Sequence, residues 1–128
     1  MTALPLTSLG TILMVLLTFY FSIRVGRMRG KVLAPATSGD PEFEKAFRIH
    51  YNTIEQLIMF LPMLWLSVGY FGDTVGGALA LVWLIGRLMY MSTYQKDPTK
   101  RTPGVLLTLA PLAVATVGAI IPLVQMVL

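Results

Sequence analysis

Four long apolar runs separated by short polar stretches organise the chain. The first covers residues 4–23 and stops where Arg24 opens a basic cluster. The second covers 46–70; its opening third holds Arg48, His50, Asn52, Glu55 and Gln56, and Leu57 to Val68 is nearly all apolar. The third covers 74–93 and contains Arg87, and the fourth covers 104–127 without a charge. Runs of about 20 residues or more can cross a ~30 Å hydrocarbon core as helices. None alternates with a period of two, and backbone in hydrocarbon must satisfy its own polar groups. The pattern therefore predicts an all-α, integral membrane four-helix transmembrane bundle, a single membrane domain over residues 1–128.

The connections are uneven. The first, from Arg24 to about Glu44, is turn-rich, with Gly30, Pro35 and Ser38-Gly39-Asp40-Pro41. The second, Gly69 to Gly77, is short and holds only Asp73; the third, Gln95 to Pro103, is short and basic. The first run is read as a retained span, not a signal peptide, because its positive charges follow the apolar stretch instead of preceding it.

Composition agrees. Of 128 residues, 55% are hydrophobic and 12% charged, about half the charged share of a soluble domain, and the mean hydropathy is +0.73. That excludes a soluble globular fold. The net charge of +4 would suit a nucleic-acid binder only on a continuous basic face. Here all ten basic residues fall in two windows, 24–48 and 87–101, that punctuate the apolar runs. The positive-inside rule then puts loops 24–45 and 95–103 in the cytoplasm and both termini on the opposite side. With no cysteine and one histidine, there is no disulfide framework, thiolate site or His-rich metal centre.

Polar residues at membrane depth need a reason. Arg48, Asn52 and Glu55 are spaced i, i+4, i+7 and share one helix face, whereas His50 points about 200° away from Arg48. Arg87, Tyr90 and Tyr94, spaced i, i+3, i+7, share a face of the third helix. Both stripes lie toward the basic ends of their helices. One reading is structural: a Glu55–Arg87 ion pair, with the two tyrosines in an interfacial aromatic belt. The other is a polar pocket for a small zwitterionic or anionic ligand. In such a pocket arginine grips a carboxylate, glutamate accepts an ammonium and asparagine bridges amides. Arg24, Arg27 and Lys31 read as topology anchors. Small residues on the third span, such as Gly76, Ala80 and Gly86, permit close helix approach.

The stretch Pro41-Glu42-Phe43-Glu44-Lys45-Ala46-Phe47-Arg48-Ile49-His50-Tyr51-Asn52-Thr53-Ile54-Glu55 resembles the signature of the MAPEG family, the membrane-associated proteins of eicosanoid and glutathione metabolism. Its core is R-x-H-x-N-x-x-E. Downstream, the run Arg87 to Tyr94 is similar to the third-helix R-x-x-Y-x-x-x-Y of the leukotriene-forming branch, and Tyr20-Phe21-Ser22 fits as well. The resemblance covers about residues 15–120. It implies a homotrimeric four-helix bundle that binds glutathione in a bent shape between subunits near the cytoplasmic side. A lipophilic co-substrate would arrive from the bilayer.

By that resemblance, Arg48 would bind a glutathione carboxylate, Glu55 the γ-glutamyl amine, and Asn52 further polar groups of the peptide. His50, Tyr90 and Tyr94 would line the same site. Arg29 would reach a neighbouring subunit's glutathione, and Arg101 would be catalytic, stabilising the thiolate. Gly30 stands where the leukotriene-forming branch has a second arginine, and Gln56 replaces an aromatic residue; both argue against leukotriene synthesis. The expected function is a glutathione-dependent transferase or peroxidase acting on lipophilic electrophiles. The alternatives are a non-catalytic, lipid-binding family member and a small four-helix drug/proton antiporter. The antiporter class carries a carboxylate in its first helix, and residues 4–23 hold none.

Overall fold

A computed structural model describes residues 3–128; Met1 and Thr2 of the expected domain lie outside the described residues. The described residues form four long helices: α1 (Pro5–Met28), α2 (Pro41–Phe71), α3 (Asp73–Lys96) and α4 (Thr102–Val127). A short 3-10 turn, Pro98–Lys100, precedes α4. All four helices are long and apolar enough to cross a membrane.

Three helices run past their apolar cores, for local reasons. The second begins at Pro41, inside the expected first loop. Asp40 Oδ2 accepts from the Phe43 amide at 3.0 Å, Pro41 supplies a pre-set φ at the first helical position, and Glu42 and Glu44 sit in the first turn. Helix α1 continues through Arg24 and Arg27 to Met28, so the first loop shrinks to residues 29–40. The expected second connection, 69–77, shrinks to Gly72 alone, whose φ of 85° reverses the chain in one residue.

Each of α1 and α4 packs against both α2 and α3, which also pack on each other. Mid-depth, Met14, Phe60, Leu64, Ala80, Trp83 and Ala115 form the main core. Phe60 and Trp83 stack there, with ring centroids 5.9 Å apart. A second cluster of Phe21, Ile49 and Tyr90 lies toward the basic end. Outside, large side chains such as Leu16, Phe19, Ile58, Leu66, Leu81 and Leu106 are exposed along the helices. An apolar girdle of this kind is unstable in water and at home in lipid.

Two features fix helix ends. The α3–α4 seam is close because Gly104 meets Tyr90: a Cβ on Gly104 would fall 2.5 Å from the Tyr90 nitrogen. At the opposite end, the Asp73 carboxylate accepts from the amides of Leu6 (3.0 Å) and Thr7 (2.8 Å). A residue of α3 thus satisfies amide groups that α1, with no side-chain cap of its own, would leave open.

Candidate functional site

The basic end gathers the charged residues of both windows. Its centre is Arg87 on α3, which is 1% exposed. The Arg87 guanidinium reaches both neighbouring helices. Nε donates to Thr108 Oγ1 on α4 at 3.0 Å, and Nη1 donates to Asn52 Oδ1 on α2 at 2.8 Å. Thr108 donates its own proton to the Gly104 carbonyl at 2.8 Å, which leaves its lone pairs free for Arg87. With its oxygen committed to Arg87, the Asn52 amide turns its nitrogen to Glu55 Oε2 at 3.2 Å. Glu55 Oε1 lies 3.9 Å from Arg48 Nη1. A continuous chain therefore runs from α4 through Arg87 and Asn52 to Glu55 and Arg48.

The ion pair drawn directly between Glu55 and Arg87 is not what forms. Asn52 stands between them, its oxygen bonded to Arg87 and its nitrogen to Glu55. The buried charge is met by neutral oxygens and by the face of Tyr90, with the guanidinium carbon 4.4 Å from the ring centroid. Tyr90 in turn stacks on Tyr94 at 5.3 Å. Arg48 and Tyr94 line a hollow of about 490 Å³ with Glu44, Lys45, Phe47 and Pro98. Lys45 braces one wall, donating to the Gln95 carbonyl at 3.2 Å and pairing with Glu42 at 3.1 Å. Arg48, Asn52, Glu55, Tyr90 and Tyr94 are thus brought together.

The remaining candidates are placed differently. Arg101 is exposed and is the residue on which α4 starts. It stands one turn from Gly104, and so near Tyr90. The Asp97 carboxylate shapes the turn before it by accepting from the Thr99 hydroxyl (2.7 Å) and amide (3.0 Å). These bonds, the hydroxyl foremost, hold the Asp97 carboxyl below the usual carboxylate range. His50 is half-buried and joins none of the bonds of the chain just described. Arg29 is turned to its own loop. It donates to the Ala36 carbonyl at 2.9 Å and the Val32 carbonyl at 3.4 Å, and lies 4.6 Å over the Phe43 ring. It borders a separate hollow of about 610 Å³ formed by loop 29–40.

Thr108 is the member that sequence reasoning missed. Its only signal was a hydroxyl in the uncharged fourth run, where Thr116 and Gln125 are the other polar side chains.

Comparison with known proteins finds relatives over most of the chain. An uncharacterized protein of Synechocystis is 41% identical over 118 residues, 91% of this chain and 83% of that one. Human microsomal glutathione S-transferase 2 is 38% identical over 99 residues, 76% of this chain and 67% of that one. Bovine leukotriene C4 synthase is 38% identical over 93 residues, 71% of this chain and 62% of that one. The MAPEG family profile matches residues 7–121. With four membrane-length helices and a match across nearly its whole length, the chain belongs to the MAPEG family, as a multi-pass integral membrane protein.

Proposed function

We propose that this protein is a glutathione-dependent transferase or peroxidase acting on lipophilic electrophiles, working as a homotrimer with the basic end in the cytoplasm. The observation that carries the reading is the Arg48–Glu55–Asn52–Arg87 chain. It sets an acceptor for an ammonium beside a donor for a carboxylate, at the end of the bundle that also bears Arg101.

Arg48 would take a glutathione carboxylate bidentately, Glu55 the γ-glutamyl amine, and Asn52 an amide of the peptide. His50, Tyr90 and Tyr94 would complete the walls. Arg29 would serve a neighbouring copy's ligand, which requires it to release the Ala36 and Val32 carbonyls. Arg101 would lower the thiol pKa by electrostatics; a guanidinium does not deprotonate and cannot act as the base. In the transferase reaction the thiolate sulfur forms a bond to an electrophilic carbon, and the leaving group departs with the displaced electron pair. In the peroxidase reaction the thiolate attacks a hydroperoxide oxygen and the alkoxide leaves, taking up a proton. A second glutathione then converts the sulfenic acid to disulfide and water. Human microsomal glutathione S-transferase 2, a relative by sequence, supports the choice of co-substrate.

The test is calorimetry of glutathione on detergent-solubilised intact protein, followed by conjugation to chlorodinitrobenzene. Binding with turnover is expected. Absence of glutathione binding to the wild-type protein overturns the reading.

A further inference from the structure

The seam between α1 and α3 carries two apolar hollows that run into one another. The larger, about 440 Å³, is lined by Leu13, Leu17, Leu81, Leu84, Ile85 and Leu88. The smaller, about 260 Å³, shares Leu13, Leu81 and Leu84 and continues to Gly10 and Gly77. At Gly10 the two helices touch, since a Cβ there would collide with that of Ala80. Nearer the basic end, leucines of both helices flank an open furrow.

Seven residues further along each helix, on the same face, the furrow ends in polar groups. Leu17 leads to Arg24 and Leu88 to Gln95. Those two side chains meet, and with the Gln95 amide assigned so that its oxygen faces Arg24, that oxygen accepts from the guanidinium. Gln95 is neutral, and among the described residues no carboxylate pairs with Arg24. Its charge is therefore unbalanced, and Arg27 and Lys96 add the same sign close by. From Leu13 to Arg24 the helix rises about 16 Å, close to half of a ~30 Å hydrocarbon core. One leaflet's acyl chain, with its headgroup at Arg24, would cover the larger hollow from end to end.

We propose that the α1–α3 seam binds one anionic phospholipid of the surrounding bilayer, its phosphate on Arg24 and one acyl chain in the leucine furrow. A guanidinium fork matches two phosphate oxygens, and its five N–H donors leave several free beyond the bond to Gln95. Basic pockets between transmembrane helices are the usual seat of acidic headgroups. Arg24 has no part in the glutathione site proposed above, so the two readings stand or fall separately.

The experiment is native mass spectrometry of the intact protein in detergent. It compares phosphatidylglycerol, phosphatidylcholine of the same acyl chains, and glycerol phosphate. Phosphatidylglycerol should be retained about tenfold better than phosphatidylcholine, a difference of one decade in affinity. Glycerol phosphate alone should not be retained. Arg24→Gln should abolish the preference, and Leu84→Trp, which fills the furrow, should lower phosphatidylglycerol retention. Neither variant should alter helical circular dichroism or glutathione affinity. Equal retention of the two lipids, or an unchanged preference in Arg24→Gln, overturns the proposal. Retention of glycerol phosphate alone would reduce the site to a free-phosphate site and also overturn it. So would a Leu84→Trp protein that changes oligomeric mass while keeping its lipid, because the furrow would then be a contact between copies.

Discussion

Arg87 Nη1 donates to Asn52 Oδ1 at 2.8 Å, and this bond decides which way the Asn52 carboxamide faces. Its nitrogen is left for Glu55. Arg87→Met should weaken glutathione binding about tenfold or more and lower the thermal midpoint. It leaves two buried acceptors with one donor fewer, at a cost of about 1–3 kcal/mol. Lysine should not restore binding, since one ammonium on a flexible stem cannot span Thr108 and Asn52 as the planar fork does. A double-mutant cycle with Asn52→Leu should give a coupling of about 1 kcal/mol; strictly additive losses would contradict the link.

Arg101 makes a separable prediction. Arg101→Ala should lower turnover while glutathione affinity, read by calorimetry, stays within about twofold. The ultraviolet thiolate band of bound glutathione should then titrate about one pH unit higher, equivalent to ~1.4 kcal/mol of lost anion stabilisation. An unmoved band would remove the thiolate role.

Much of this was legible in the chain and some was not, for identifiable reasons. The four helices follow from apolar run length, which hydrocarbon thickness turns into a direct constraint. The shared face of Arg48, Asn52 and Glu55 follows from helix period alone. What period cannot supply is how three helices cross. Arg87 chose Asn52 and Thr108 over Glu55 because of depth along α2 and α4, which is set by packing such as Gly104 against Tyr90. The early start of α2 was readable from Asp40-Pro41-Glu42, a capping residue, a proline and an acid in order. Its turn-forming neighbours outweighed that signal. Gly69, Gly76 and Gly77 misled in the same sense: they read as a loop, yet all three lie within helices.

Gly104 should tolerate nothing larger. Gly104→Ala would place a methyl against the Tyr90 backbone, 2.6 Å from its Cα, and the start of α4 must move to admit it. Overpacking of this kind costs about 1–3 kcal/mol. A fall of several degrees in the thermal midpoint is expected, with reduced turnover because Arg101 and Thr108 move with the helix. A midpoint equal to wild type would show that the seam can open freely.

The turn before Arg101 should respond to acid. The Asp97 carboxyl is held below its usual value by Thr99, so its folded pKa is lower than its unfolded one. Its contribution is therefore complete above about pH 3.9, the ordinary value, and is lost as pH falls through the depressed one. Asp97→Asn should reproduce the acid form at neutral pH, and protease cleavage near Thr99 should quicken. Equal cleavage rates in variant and wild type at neutral pH would count against the cap.

The Asp73 carboxylate that closes the amide end of α1 lies 66 residues downstream of Thr7. Synthesis from the N-terminus therefore completes the first span long before its cap exists. A chain halted after α2 would leave the Leu6 and Thr7 amides without it at the membrane edge. The third helix supplies the missing acceptor with its own first residue. The first span is finished only when the third arrives, which makes the order of insertion part of what the sequence encodes.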